Sequence, residues 1–230
     1  HQTLPIASIS KLLTAYVSVQ NHNLKDRFQV TEWTVSGPWA SRKFRVGDVY
    51  TLRELLEASL VESNNDAARV LASSVGERKF VQNMNLAATG FSLSETTMFS
   101  SDGTDRLRDE QILTNTSTAH DVAQLIVRLY QYAPDVLLVT TKPQVEISDV
   151  TGTQVFTAYS TNKLMSFFSD RYVLLGGKTG TSNVESKHLV LLFKDFKGVI
   201  YVATVLDSKD NFNDMQTILD ALLTYTLKQS

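Results

Sequence analysis

Apolar residues at Ile9, Leu12, Leu13, Tyr16 and Val17 recur every three or four positions, a period that gathers them on one face of a helix. Pro5 precedes the run, so Ser8 falls near the helix start and Lys11 one turn further along. From 21 to 50 the pattern breaks up, and Gly37-Pro38, Gly47 and two Trp predict loops with short strands. Thr51-Leu52-Arg53-Glu54 has the form of a capping box and predicts a helix through about Val61. A second helix is predicted over Asn65 to Ser74, which leaves Ser63-Asn64-Asn65 in the tight link between the two. Lys79 to Ala88 and Thr118 to Tyr132 also carry the helical period, with a polar loop of Ser, Thr, Asp and Gly between them.

The character changes from Arg171. Tyr172-Val173-Leu174-Leu175, His188 to Phe193 and Val199 to Leu206 predict three successive strands, the last two joined by a turn at Asp195-Phe196-Lys197-Gly198. A closing helix is predicted over Asn213 to Leu227, apolar at Met215, Ile218, Leu219, Leu222 and Leu223. No internal repeat or low-complexity tract interrupts this order.

At 230 residues the chain suffices for one large domain or two small ones. A formal charge of -2 gives no electrostatic reason to expect nucleic acid or an anionic membrane as partner. The longest apolar stretches, such as Leu189 to Phe193, are too short to span a bilayer. With no cysteine, disulfides, thiolate metal sites and a cysteine nucleophile are excluded. The four His form no metal-binding spacing, and no cofactor is expected.

Three short motifs carry candidate chemistry, in order: Ser8-Ile9-Ser10-Lys11, Ser63-Asn64-Asn65 and Lys178-Thr179-Gly180. Residues three apart on a helix lie about 5–6 Å apart on one face, so Lys11 reaches the Ser8 hydroxyl locally. A serine needs a base to become a nucleophile, and a lysine serves only if its pKa is lowered by burial or a neighbouring cation. Lys178 is the expected neighbour. Ser63 is placed to carry a proton to a departing amine, and Asn65 to hold Lys11 and a substrate peptide group. Lys178, Thr179 and Thr181 suit a carboxylate, and Gly180 leaves a strand edge bare for an extended peptide. The backbone N–H groups of Ser8 and Thr181 are the expected oxyanion hole. Each motif alone has a bland reading: a chance match, a helix cap or an exposed strand end. A second S-x-x-K stands at Ser160-Thr161-Asn162-Lys163. A phosphate-loop reading of Gly177-Lys178-Thr179 fails, because Tyr172 stands where the first Gly is needed and strand-like sequence follows.

In combination the motifs resemble the serine D-alanyl-D-alanine carboxypeptidases, the low-molecular-mass penicillin-binding proteins. Ile6 to Ala15 resembles their nucleophile segment, and Ser63-Asn64-Asn65-Asp66-Ala67-Ala68, Phe80 to Asn85 and Ser117-Thr118-Ala119-His120-Asp121 are similar to further segments. Ser160-Thr161-Asn162-Lys163-Leu164 resembles the stretch preceding the K-T-G strand, so its S-x-x-K is expected to be non-catalytic. The resemblance implies an α/β (α+β type) fold of the β-lactamase/transpeptidase kind, an antiparallel sheet flanked by helices plus a mainly helical part. It implies residues 1–20 and 165–230 in the sheet part and 21–164 in the helical part, together one catalytic domain. Ser8 is then the acylated nucleophile, Lys11 its base, Ser63 the proton shuttle and Lys178 the substrate-binding lysine. The implied partners are peptidoglycan stem peptides ending in D-Ala-D-Ala and β-lactam antibiotics. An exported, extracytoplasmic location on the cell-wall side is implied likewise.

Two departures stand out. Only seven residues precede Ser8, whereas the family begins with a strand pair that completes its sheet, so one sheet edge is expected to be open and an N-terminal segment lost by trimming or cleavage. The loop Ser100-Ser101-Asp102-Gly103-Thr104 lacks the usual Gly-Leu pattern, which bears on substrate preference. The rival readings are a class A-like β-lactamase, with Glu110 as its extra carboxylate, and a non-catalytic β-lactam- or peptidoglycan-binding module. Glu110 stands one residue too far from Asn115 for the former.

Overall fold

The computed structural model describes residues 2–36, 39–168, 172–183 and 185–227. Gly37-Pro38 and Arg171, used above as a loop signal and a boundary, lie outside them. A two-residue strand β1 (Leu4–Pro5) leads into a 3-10 turn (Ala7–Ser10) and α1 (Lys11–Asn21). The hairpin β2 (Arg27–Gln29) and β3 (Val49–Thr51) follows, then α2 (Leu52–Val61), α3 (Asn65–Ser73) and α4 (Glu77–Gly90). Next come β4 (Arg106–Arg108), β5 (Gln111–Leu113), β6 (Thr116–Ser117), α5 (Ala119–Tyr132) and α6 (Pro134–Val139). The hairpin β7 (Gln144–Ser148) and β8 (Val155–Tyr159) precedes β9 (Val173–Asn183), β10 (Ser186–Lys194), β11 (Ile200–Ser208) and α7 (Asn211–Leu227).

The helix starts follow from local chemistry. Thr51 accepts the Glu54 N–H while Glu54 accepts the Thr51 N–H, so the predicted capping box is formed in full. Asn64 caps α3 through Ala67 N–H, and Thr118 caps α5 through Asp121 N–H. The strands β9, β10 and β11 form an antiparallel sheet in the order β11-β10-β9. β10 is apolar without a break from Leu189 to Phe193 because both of its faces are covered there. Val190 and Leu192 join the core built on α1, α2 and α5, whereas Leu189, Leu191 and Phe193 join a second core with Met215 and Leu219 of α7. Among the described residues β11 pairs with β10 alone.

Three elements differ from the sequence expectation. The first C-terminal strand was expected over Tyr172 to Leu175, but β9 runs on through the whole K-T-G motif to Asn183. The polar loop before α5 contains the β4–β5 hairpin, and the stretch before β9 contains β7–β8. β7–β8 packs the alternating Val145 and Ile147, with Phe156 and Ala158, against the main core, whereas β4–β5 leaves Leu107 and Ile112 exposed and rests on its backbone pairing. β6 pairs β1, and Ile6 N–H donates to Asn115 O at 3.0 Å, so the loop ahead of α5 fixes the approach to Ser8.

Candidate active site

Ser8 sits in the 3-10 turn that runs directly into α1. Ala7 ahead of it is held at φ 45, a left-handed conformation that a residue with a Cβ adopts only at a cost. Its carbonyl accepts the Ser10 hydroxyl at 2.6 Å. Gly103 (φ +81) packs onto the same carbonyl so closely that a Cβ there would lie 2.3 Å from Ala7 O. The loop 100–104 therefore presses the nucleophile turn into place, and only glycine permits it.

Lys11 opens α1 and is fully buried. Its Nζ lies 2.7 Å from Ser8 Oγ, 2.7 Å from Asn65 Oδ1 and 2.5 Å from Asp102 O. The amide oxygen and the backbone carbonyl accept only, so they take two N–H groups. The third direction faces Ser8, and in the neutral amine that direction is the lone pair. Burial lowers the Lys11 pKa to about 8, with Asp102 opposing and Arg69 adding to the shift. Sequence reasoning assigned the neighbouring cation to Lys178. Lys178 is a neighbouring cation, since the two lysines repel each other, and Arg69, paired with Asp102, is a second one acting on Lys11.

Ser63, in the link between α2 and α3, also has a left-handed backbone, φ 64. Its Oγ accepts from Lys178 Nζ at 2.8 Å, and Lys178 donates a second bond to Thr179 O at 3.0 Å. Lys178 is 2% exposed, and burial followed by the Lys11 charge pushes its pKa well below 10.5. The two lysines thus converge on the same link, one bonded to Asn65 and the other to Ser63. Two buried cations at that separation repel, so the pair resists carrying both charges.

Gly180 brings β9 against the nucleophile turn: a Cβ there would approach Ile6 O to 2.8 Å. Thr179 Oγ1 shares a 2.6 Å hydrogen bond with Thr161 Oγ1, and Thr161 N–H donates to Val61 O. The second S-x-x-K thus ties β9 to the end of α2. Its Lys163 is exposed and lies over the Phe212 ring.

Several contributors escaped sequence reasoning. Asp102 is fully buried between Arg69 (Nε to Oδ2, 2.5 Å) and Arg106 (Nη2 to Oδ1, 3.1 Å). Burial raises its pKa, but Arg106, Lys11 and Arg69 outweigh this and leave it below the usual carboxylate value. Arg106 lies only four positions on from Asp102, but Arg69, its other partner, lies 33 positions away. A cavity of about 800 Å³ borders Ser8, Asn65, Arg69, Gly103, Thr181 and Ser182, with Trp33 and Trp39 among its outer walls. Glu110 does not border it. This residue is exposed in the β4–β5 turn, so the extra carboxylate of the β-lactamase reading is out of place.

A family model described as D-alanyl-D-alanine carboxypeptidase, Peptidase S11, matches residues 1–209. A D-alanyl-D-alanine endopeptidase of Pseudomonas aeruginosa is 33% identical over 135 residues, 56% of this chain and 41% of that protein. The chain thus spans less than half the length of that curated relative. A mutant of a Streptomyces DD-transpeptidase superposes with a TM-score of 0.82 at 26% identity, over 95% of this chain and 88% of that one. A penicillin-binding protein from Listeria monocytogenes in its ampicillin-bound form gives a TM-score of 0.78 at 27% identity, over 95% and 87%. With the serines and lysines of the three motifs assembled and the match running along nearly the whole length, the chain belongs to the Peptidase S11 family of D-alanyl-D-alanine carboxypeptidases.

Proposed function

We propose that this chain is a serine DD-peptidase that removes the terminal D-Ala from stem peptides ending in D-Ala-D-Ala. The observation that carries the reading is the 2.7 Å contact between Lys11 Nζ and Ser8 Oγ, made where burial brings the lysine pKa to about 8. Neutral Lys11 takes the Ser8 proton, and Oγ attacks the carbonyl of the penultimate D-Ala. The oxyanion is received by the N–H groups of Ser8 and Thr181, both bordering the cavity. Ser63 relays to the departing amine the proton that Lys11 took from Ser8, which returns Lys11 to its neutral form, while Lys178 stays charged and donates to Ser63 Oγ. The bond to the terminal D-Ala breaks, and water then hydrolyses the ester on Ser8.

Asn65 binds a peptide group of the substrate, while Lys178, Thr179 and Thr181 hold its terminal carboxylate. That anion favours the charged form of Lys178 and so offsets the repulsion from Lys11. The edge of β9 along Gly180 receives the extended peptide, in the cleft between the sheet part (1–20 and 165–230) and the helical part (21–164). β-Lactams acylate the same Ser8 and leave slowly. The setting is the extracytoplasmic face of the cell wall, where the substrate lies. No helix among the described residues is long and apolar enough to cross a membrane.

Mass spectrometry after penicillin treatment is expected to map an adduct to Ser8. Free D-Ala is expected from diacetyl-lysyl-D-Ala-D-Ala, and its release is expected to cease in Ser8→Ala. An adduct elsewhere, or D-Ala release that survives the substitution, overturns the reading. Rapid turnover of a chromogenic cephalosporin assigns a β-lactamase instead, and stable labelling without D-Ala release assigns a binding module. Carboxypeptidase and endopeptidase action share these steps, so cutting of a cross-linked dimer in the same assay sets the preference.

A further inference from the structure

A buried imidazole behind the cavity wall takes no part in the steps above. His188 of β10 is fully buried, and its carbonyl accepts from Asn211 Nδ2 at 2.8 Å. Its Nδ1 lies 3.1 Å from the backbone N of Asp207. A backbone N–H only donates, so Nδ1 is the acceptor and the ring proton of a neutral imidazole sits on Nε2. Nε2 lies 2.8 Å from Ser182 Oγ, so the ring donates and the serine oxygen accepts. Burial, opposed by Asp207, brings the His188 pKa down to about 4, which keeps the ring neutral at ordinary pH.

This network orients one hydroxyl. With a lone pair of Oγ committed to His188, the Ser182 hydrogen is free to point away from the ring, and Ser182 borders the same cavity as Ser8 and Thr181. Gly180 stands opposite His188 and Lys178 opposite Val190, and the Ser182 hydroxyl reaches the same imidazole, so these three residues of β9 share the face that His188 occupies. A peptide whose carboxylate lies at 178–179 and whose attacked carbonyl lies at Thr181 continues past Ser182 with its acyl half.

We infer that Ser182 is a specificity-determining residue for that acyl half: its hydroxyl, held by His188 as a positioning residue, donates to an amide carbonyl on the acyl side of the scissile bond. The inference rests on the acylation of Ser8 proposed above. It concerns a hydroxyl that the three motifs do not contain.

Two penicillins separate the possibilities. Benzylpenicillin carries a side-chain amide carbonyl on that side, and 6-aminopenicillanic acid does not. Rate constants for Ser8 acylation, followed by intact mass, give a selectivity ratio between them. Ser182→Ala is expected to lower that ratio by about tenfold, the weight of one such hydrogen bond, while Ser182→Thr keeps it within about threefold. His188→Ala is expected to lower the ratio as well, with no further loss in the double variant. Should His188→Ala fail to fold, the two exposed-site substitutions at Ser182 still decide. An unchanged ratio in Ser182→Ala overturns the inference while leaving the acylation reading intact. If neither penicillin labels Ser8 in the unaltered protein, both readings fall.

Discussion

Two lysines buried within reach of two serines set the working pH of the site. Lys11 must be neutral to accept the Ser8 proton, so acylation is expected to rise with pH along a limb near 8. A penicillin acylation rate that stays flat from about pH 6 to 10 would contradict this. The same shift has a stability consequence. Below pH 8 both the folded and the unfolded chain hold the Lys11 proton, and the folded state bears the full cost of burying it. Between about 8 and 10.5 the folded state releases its proton first, the unfolded chain binds more, and stability rises. Lys11→Met removes this cost, roughly 3 kcal/mol by linkage, so its stability advantage is expected to shrink as pH rises through that window. Urea unfolding of both proteins across the range measures it. At this scale Ser8, Lys11, Ser63, Asn65 and Lys178 were legible because each sits in a short motif. Arg69, Asp102 and His188 were not, because a buried charge or imidazole is recognised by its burial and its partners, and both are set by the folded chain: Arg69 meets Asp102 across 33 positions.

Among the elements, the nucleophile turn is held by contacts that a Cβ would destroy. Gly103→Ala introduces a side chain at φ +81 and drives a carbon onto Ala7 O. A loss of about 2 kcal/mol or more is expected, with acylation falling further than the unfolded fraction explains. Circular dichroism melts paired with penicillin labelling below the transition test this, and labelling at the unaltered rate would show that the contact does not position Ser8. The helices α2, α3, α4, α5 and α7 were legible to within a residue or two, since capping residues and apolar period both act locally, whereas the short α6 was not predicted. β9 was read too short, because Lys178 to Ser182 looks polar and yet is strand. Its pairing with β10 and its packing on the nucleophile turn hold it extended, and neither partner is local.

For the molecule as a whole, the sheet is a wall with a core on each side. Phe193 belongs to the core under α7, packed edge-on to Tyr172 and away from the K-T-G end of β9. Phe193→Ala is expected to cost about 3–5 kcal/mol in denaturant unfolding while Ser8 still labels in the folded fraction. A cost below about 1 kcal/mol would mean that this face is not a packed core. The sequence by itself determined the helix starts, the order of the motifs and the local pairing of Ser8 with Lys11, since all three depend on residues within one turn or one cap. Only the tertiary structure decided that Lys178 meets Ser63 across 115 positions, that Arg69 and Asp102 underlie Lys11, and that His188 orients Ser182. These are contacts between buried polar groups, whose strength comes from the exclusion of water, and burial belongs to the folded chain rather than to any segment of it.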